Sequence, residues 1–292
     1  MLLQQIANGL MLGGTYALVA IGYSLIFGVL RLIHLAHGEV FMVGAYIGLE
    51  IMLLLHVGPV VALLAAILGT AVLGIVLELI AFRPIRRKGG SFLAPMVSSI
   101  GAGLILQEVF TKIFGSEQSD YPSQLANNVY DLGFVLVSTT QLFIMGTALV
   151  SMVVLHIFVS RTRYGIAMRA TAENLEIASI LGINTDMVIM LTFAIASALG
   201  GVAGVLVGLA YTSVSPFMGI NMAIKGLAIM LVGGLGSMYG AMAAGLLLGV
   251  AEVLCVAYLA SSYRDAFAFG LMIIILLVRP RGLFATGISV ER

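Results

Sequence analysis

Charge is what this chain of 292 residues has least of: 9% of its residues are Asp, Glu, Lys or Arg, against about 25% in an ordinary soluble domain. No soluble core of this size needs so few charges beside 61% apolar residues, and disorder, a collagen-like repeat and a disulfide scaffold are excluded with it. The formal net charge is +1, so there is no basic face for nucleic acid; the basic residues flank apolar runs, as topology signals do. Cys255 is the single cysteine, which removes an intrachain disulfide and a cysteine metal cluster. The sequence contains no GxxxxGK[ST] loop, no Gly-Lys pair, and no GxSxG, HExxH or cysteine-based catalytic pattern. These gaps predict a non-catalytic chain with no nucleotide site, cofactor or metal of its own.

What the chain does have is long apolar runs, and crossing about 30 Å of hydrocarbon takes roughly 20 such residues. The runs predict an all-α, polytopic transmembrane bundle of about 8–10 helices, at 6–30, 38–55, 60–82, 93–114, 139–159, 187–210, 219–236, 241–259 and 264–279. Met1 to Leu30 carries no charge, so it lacks the basic start of a cleaved signal and should stay as a helix. Gly38, Glu39, Ser98, Ser99, Gly101 and Gly103 could place broken or re-entrant backbone in the second and fourth spans. Tyr211, Thr212, Ser213, Ser215 and Pro216 supply a polar turn inside an apolar run too long for one crossing. The bundle is read as a single transmembrane domain over 1–292.

Arg83, Arg86, Arg87 and Lys88 mark a cytoplasmic loop, because basic residues concentrate on that side. Alternating from it, Arg31, the Arg161 to Arg169 group and the tail with Arg279, Arg281 and Arg292 fall inside, 11 of the 14 basic residues in all. Glu117, Asp120 and Asp131 then fall outside, which puts the N-terminus outside and the C-terminus in the cytoplasm.

Between helices in lipid, close approach through small residues supplies the contact energy. Ala196, Gly200, Gly204 and Gly208 form such a stripe, as do Ala241, Gly245 and Gly249, and Gly9, Gly13 and Ala17.

Ionisable groups inside the spans each need a partner or water. Counting 1.5 Å per residue puts Lys225 and Glu252 at similar depth on consecutive helices, where they would form an intramembrane ion pair bracing an outer gate. His34, His37 and Glu39 lack a fourth ligand at metal-site spacing, so no metal is expected. They read either as interfacial polar residues at a helix break or, for His37 and Glu39, as groups orienting backbone beside a solute path. Asn8, Thr15 and Tyr16 of the first helix are further path candidates.

The loop at about 160–186 is too long for a turn. Arg169, Glu173 and Glu176 sit at helical spacing, and Ala172, Ile177, Ile180 and Leu181 make an apolar stripe, which predicts one short amphipathic helix at the membrane face stopped by Gly182 and then Asn184. Glu176, Ala178 and Gly182 spell ExAxxxG, which resembles the cytoplasmic coupling-helix motif of ATP-binding-cassette importer permeases.

Four segments together resemble the permeases of branched-chain, or hydrophobic, amino-acid uptake systems in that superfamily: Asn8 to Tyr46, Gly165 to Asn184 with the glycine-rich helix after it, GGLGSMYG at Gly233 to Gly240, and RPRGLF at Arg279 to Phe284. One departure is His34, where that family commonly has Asn. The resemblance implies a type II importer-like fold in a bacterial-type inner membrane. It implies a second homologous permease, two cytoplasmic ATPases and an extracytoplasmic solute-binding protein as partners. Arg169, Glu173, Glu176, Ala178 and Gly182 are then the residues of ATPase coupling. A self-sufficient secondary transporter or channel, and an importer permease for urea or short amides, stand as alternatives.

Overall fold

With no water to satisfy a bare backbone in lipid, an apolar run folds as a helix. The computed structural model describes residues 1–88, 93–122, 128–131, 133 and 135–284. Its helices are α1 (Leu2–Leu30), α2 (His37–Leu55), α3 (Pro59–Leu77), α4 (Arg83–Arg87), α5 (Leu93–Phe114), α6 (Thr139–Arg161), α7 (Arg163–Glu173), α8 (Leu175–Ile180), α9 (Thr185–Tyr211), α10 (Met218–Gly233), α11 (Met238–Tyr258) and α12 (Arg264–Val278). Among the described residues, eight helical stretches are long and apolar enough to cross a membrane, and α10 is a shorter apolar helix of 16 residues.

The nine expected spans coincide with helices, and their departures have local causes. The second and fourth spans are unbroken helices; in the fourth, Ser98 and Ser99 donate their hydroxyls to the Ala81 and Met96 carbonyls and leave the helical backbone intact. The irregular turns lie elsewhere. α3 passes through a π-helical turn, Glu78–Phe82, before α4, so the expected span 60–82 is not uniform α-helix. α10 stops at Gly233, short of the expected 236, where Gly234 (φ 111°) and Gly236 (φ 74°) turn the chain back. α9 ends at Tyr211 in the expected polar break; Ser213–Val214 then pairs antiparallel with Ser119–Asp120, and α10 follows. A second two-stranded ladder joins Val129–Asp131 to Leu136–Ser138.

Small residues set the packing. α1 and α11 run antiparallel in close contact: a methyl group at Gly245 would lie 2.6 Å from Ala17 Cα, and one at Gly13 would lie 2.8 Å from Leu246 Cα. The Ala196, Gly200, Gly204 and Gly208 stripe of α9 meets, in order, Gly22 of α1, His37 and Phe41 of α2, and the Tyr121 ring. α1, α2 and α9 are therefore the buried centre, while α5, α6 and α12 form the periphery and bury few of their apolar side chains.

The described chain begins and ends at opposite ends of the bundle. Gln4 at the start of α1 bonds to Leu136 of the second ladder. Leu283, at the other extreme, donates to the Val232 carbonyl beside the α10–α11 turn, where Gly236 meets Gly28 near the end of α1.

Candidate functional site

A charge buried in an apolar bundle persists only if its partners replace water. Glu252 of α11 is fully buried and meets three donors: Lys225 Nζ of α10 at 2.7 Å, Arg264 Nε of α12 at 2.9 Å, and the Tyr16 hydroxyl of α1 at 2.8 Å. Lys225 also reaches Asp265 Oδ1 at 2.7 Å, so two cations balance two carboxylates. Arg264 donates in addition to the hydroxyls of Tyr16 (3.0 Å) and Tyr211 (2.6 Å), the last residue of α9. Lys225 lies over the Tyr16 ring and Arg264 over the Tyr211 ring, at 5.4 and 5.7 Å from the centroids.

This network lines a cavity of about 540 Å³ that opens between the end of α9, the start of α10 and the start of α12, with Val207, Met222 and Phe269 among its apolar walls. The arrangement offers opposite charges beside an apolar cup, chemistry suited to a small zwitterion with an aliphatic body. The sequence pointed to neither Arg264 nor Asp265, and to Tyr211 only as part of a polar turn. A signal existed: Arg264, with Lys112 and Lys225, is one of the three basic residues that do not follow the sidedness of the other 11.

The other path candidates scatter. Asn8 accepts from Gln141 Nε2 at 3.0 Å and lines a neighbouring cavity of about 390 Å³ that shares Tyr211 and Arg264. The Thr15 hydroxyl is spent on the Leu12 carbonyl of its own helix. His37 and Glu39 are buried and line neither cavity: His37 packs against Gly22, Gly200 and the edge of the Tyr23 ring, and the Glu39 carboxylate lies on Gly219 at the start of α10. The His34 ring contacts those of Phe82, Phe193 and His37. No group of three metal-binding side chains occurs among the described residues.

At the opposite end of α9, roughly 40 Å away by helix rise over its 27 residues, lies the 160–186 loop. The single expected helix is two, because Asn174 leaves helical conformation (φ −156°) and caps α8, accepting from Ile177 N at 2.9 Å. Arg169 and Glu173 thus sit on α7, and Glu176 on α8. Gly182 (φ 85°) closes α8: its N–H donates to Ser179 O at 3.0 Å, and Ile183 N–H donates to Ala178 O at 3.1 Å, the paired bonds of a left-handed helix stop. Asn184 is not part of that stop; it begins α9, accepting from Met187 N at 3.1 Å. Ala178 is buried against the bundle, whereas Ile177, Ile180 and Leu181 are 55%, 77% and 74% exposed. The expected stripe therefore splits, with Ala172 partly buried on α7 and the three large residues uncovered on α8 and its C-terminal cap, Leu181.

A further cluster, absent from the sequence reading, ties this loop to α3 and α4. Asp186 in the first turn of α9 receives Arg83 at 2.8 Å, Arg86 at 2.6 Å and Arg87 at 2.8 Å, and Arg86 also meets the buried Glu78 at 3.0 Å. Glu78 opens the π-helical turn, a feature frequent at functional sites.

Comparison with known proteins converges on one group. Residues 5–276 match the model of a family described as branched-chain amino acid transport system, permease component. The chain is 40% identical to the high-affinity branched-chain amino acid transport system permease protein BraD of Pseudomonas aeruginosa, across 96% of this chain and 95% of that one. It is 40% identical to LivH of Salmonella typhimurium and 39% identical to LivH of Escherichia coli K12, both named as permease proteins of the same kind of system, over 96% of this chain and 94% of each of theirs. No solved structure matches.

Proposed function

The chain belongs to the family of permease components of branched-chain amino acid transport systems, and from that premise we propose that it is the membrane-spanning subunit of an ATP-driven importer of branched-chain or other hydrophobic amino acids. The observation that carries the ATP-driven part is α8, a six-residue helix with three exposed aliphatic side chains, fixed to the bundle through Ala178 and ended by Gly182. An apolar face uncovered on a short, firmly stopped helix fits the groove of a partner subunit better than it fits water.

In this reading the chain is non-catalytic, sits in a bacterial-type inner membrane with its N-terminus outside, and pairs with a second permease. Two cytoplasmic ATPases engage α7 and α8, where Arg169, Glu173, Glu176, Ala178 and Gly182 are the coupling residues, the buried Ala178 by holding α8 in place, and a solute-binding protein docks outside. Closure of the ATPases pushes α8, and α9 carries the push along its length to Tyr211 and the charged network. The 540 Å³ cavity is the outward part of the solute path, and the Lys225–Glu252 pair braces its outer gate. Alternating access follows when that brace and the inner contacts open in turn.

The test is co-purification from native membrane followed by ATPase assay. ATPase chains should copurify, and their turnover should rise with binding protein loaded with leucine, isoleucine or valine. Gradient-driven flux through this chain alone, without an ATPase, would overturn the reading in favour of a secondary transporter; stimulation by urea or short amides only would overturn the substrate.

A further inference from the structure

A third cavity, of about 310 Å³, lies at the other end of the bundle, lined by the last turns of α1 and α6, by α7, and by the α10–α11 turn. That is the lower end of the range for small-ligand sites, about 300–1,000 Å³. Leu25, Val29, Val159 and Met168 give it apolar walls. Ser24 lines it from α1; this residue is 1% exposed, yet its hydroxyl has no partner among the described residues. Buried polar atoms are almost always paired, so an orphan facing a cavity marks where a ligand or water bonds. Arg169 stands exposed at the rim, and among the described residues its guanidinium makes one long hydrogen bond, 3.5 Å to Ser160 O, and no ion pair. His156 Nδ1 and the Tyr239 hydroxyl, 2.8 Å apart, complete the rim.

An unpaired guanidinium above an apolar cup recognises a carboxylate carrying a short aliphatic body, and the Ser24 hydroxyl and the Ser160 carbonyl can accept from an ammonium group. We propose that this cavity is an inner-face binding site for a hydrophobic amino acid, the imported solute itself, through which accumulated product slows the transporter. The proposal rests on the importer reading, which puts this end in the cytoplasm and identifies the solute. The coupling to activity is mechanical. Arg169 is on α7, which runs through Asn174 directly into α8; a ligand held between Arg169 and the walls from α1 and α6 ties α7 to the bundle and opposes the movement of α8.

A short fatty acid presents the same chemistry from another source, so the test has three ligands. With the complete transporter in nanodiscs, ATPase activity is titrated with L-leucine, octanoate and glycine, while binding-protein-dependent leucine uptake is followed in proteoliposomes. Leucine at millimolar concentration should lower ATPase activity at least threefold, and glycine, which lacks the aliphatic body, should not. Val159→Phe, which fills the cup, should raise the half-inhibitory leucine concentration at least tenfold with uptake within twofold of wild type. Ser24→Ala, which removes only the orphan hydroxyl, should raise it several-fold. A wild-type complex that imports leucine and is not inhibited by it would overturn the proposal, as would inhibition unchanged in a Val159→Phe complex that still transports, since that ligand would then be acting in the transport path. Inhibition by octanoate alone would assign the cavity to a lipid-derived carboxylate and overturn the amino acid. A complex that imports no leucine at all would overturn the importer reading and, with it, the identity of this ligand.

Discussion

Glu252 answers to two cations at once, and that makes it the least replaceable charge in the bundle. Lys225 has a second carboxylate in Asp265, which is largely exposed, whereas Glu252 is completely buried. Glu252→Gln therefore strands positive charge in an apolar setting, and removal of one member of a buried pair costs about 3–5 kcal/mol. Thermal unfolding of the purified chain should show a loss of that order, against a much smaller one for Asp265→Asn. Pairing Glu252→Gln with Lys225→Met should recover part of it, and a double-mutant cycle should return a coupling of about 1 kcal/mol or more; additive effects would mean that the two side chains act separately. Lys225 and Glu252 could be brought together from sequence because helix rise is a ruler along each span. Arg264, Asp265 and Tyr211 could not, since each stands at the end of its helix, where a charge or phenol is explained equally well by the membrane interface.

α8 shows how a short element acquires a mechanical role. Its end is held by the left-handed Gly182, whose N–H and φ of 85° are both denied to proline. Gly182→Pro should leave the membrane bundle folded and ATP hydrolysis running while leucine uptake falls by an order of magnitude. Gly182→Asn, which tolerates the left-handed region, should retain most of the uptake. Equal uptake per ATP in the proline variant and the wild type would sink the lever. The same push must leave the loop at α9, where Asp186 gathers Arg83, Arg86 and Arg87. Asp186→Asn leaves those three cations without their shared anion and loosens α9 from the π-helical turn, so uptake per ATP should drop several-fold with little change in unfolding temperature, as befits a partly exposed cluster. Periodicity exposed the apolar residues of the loop but not the break at Asn174. An asparagine in a helical pattern reads the same whether it caps one helix or sits inside another, and the choice is made by the burial of Ala178 and Thr171 on either side.

Across the whole molecule, the scarcity of charge is what made the architecture legible. Apolar runs interrupted by a few polar stretches leave one solution for most of the chain, and α1, α9 and α11 have their small-residue faces written at four-residue spacing. The turn at Glu78–Phe82 and the early stop of α10 were hidden, because a π-helical turn has no compositional mark and the Gly-Gly-Leu-Gly run of 233–236 can extend a span as easily as end one. Sidedness rests on the basic residues, ten of which among the described residues lie at the end of the bundle carrying α7 and α8, an imbalance of the kind that sets orientation during insertion. It can be checked with the chain's one cysteine as background. With the buried Cys255 exchanged for alanine, Ser116→Cys and Tyr164→Cys each put a single exposed thiol at opposite ends. In intact cells whose outer membrane has been made permeable, an impermeant maleimide should label Cys at 116 and leave 164 unmodified until the inner membrane is opened. The reverse pattern would place α8 outside, out of reach of any cytoplasmic ATPase, and the importer reading would fall together with the topology.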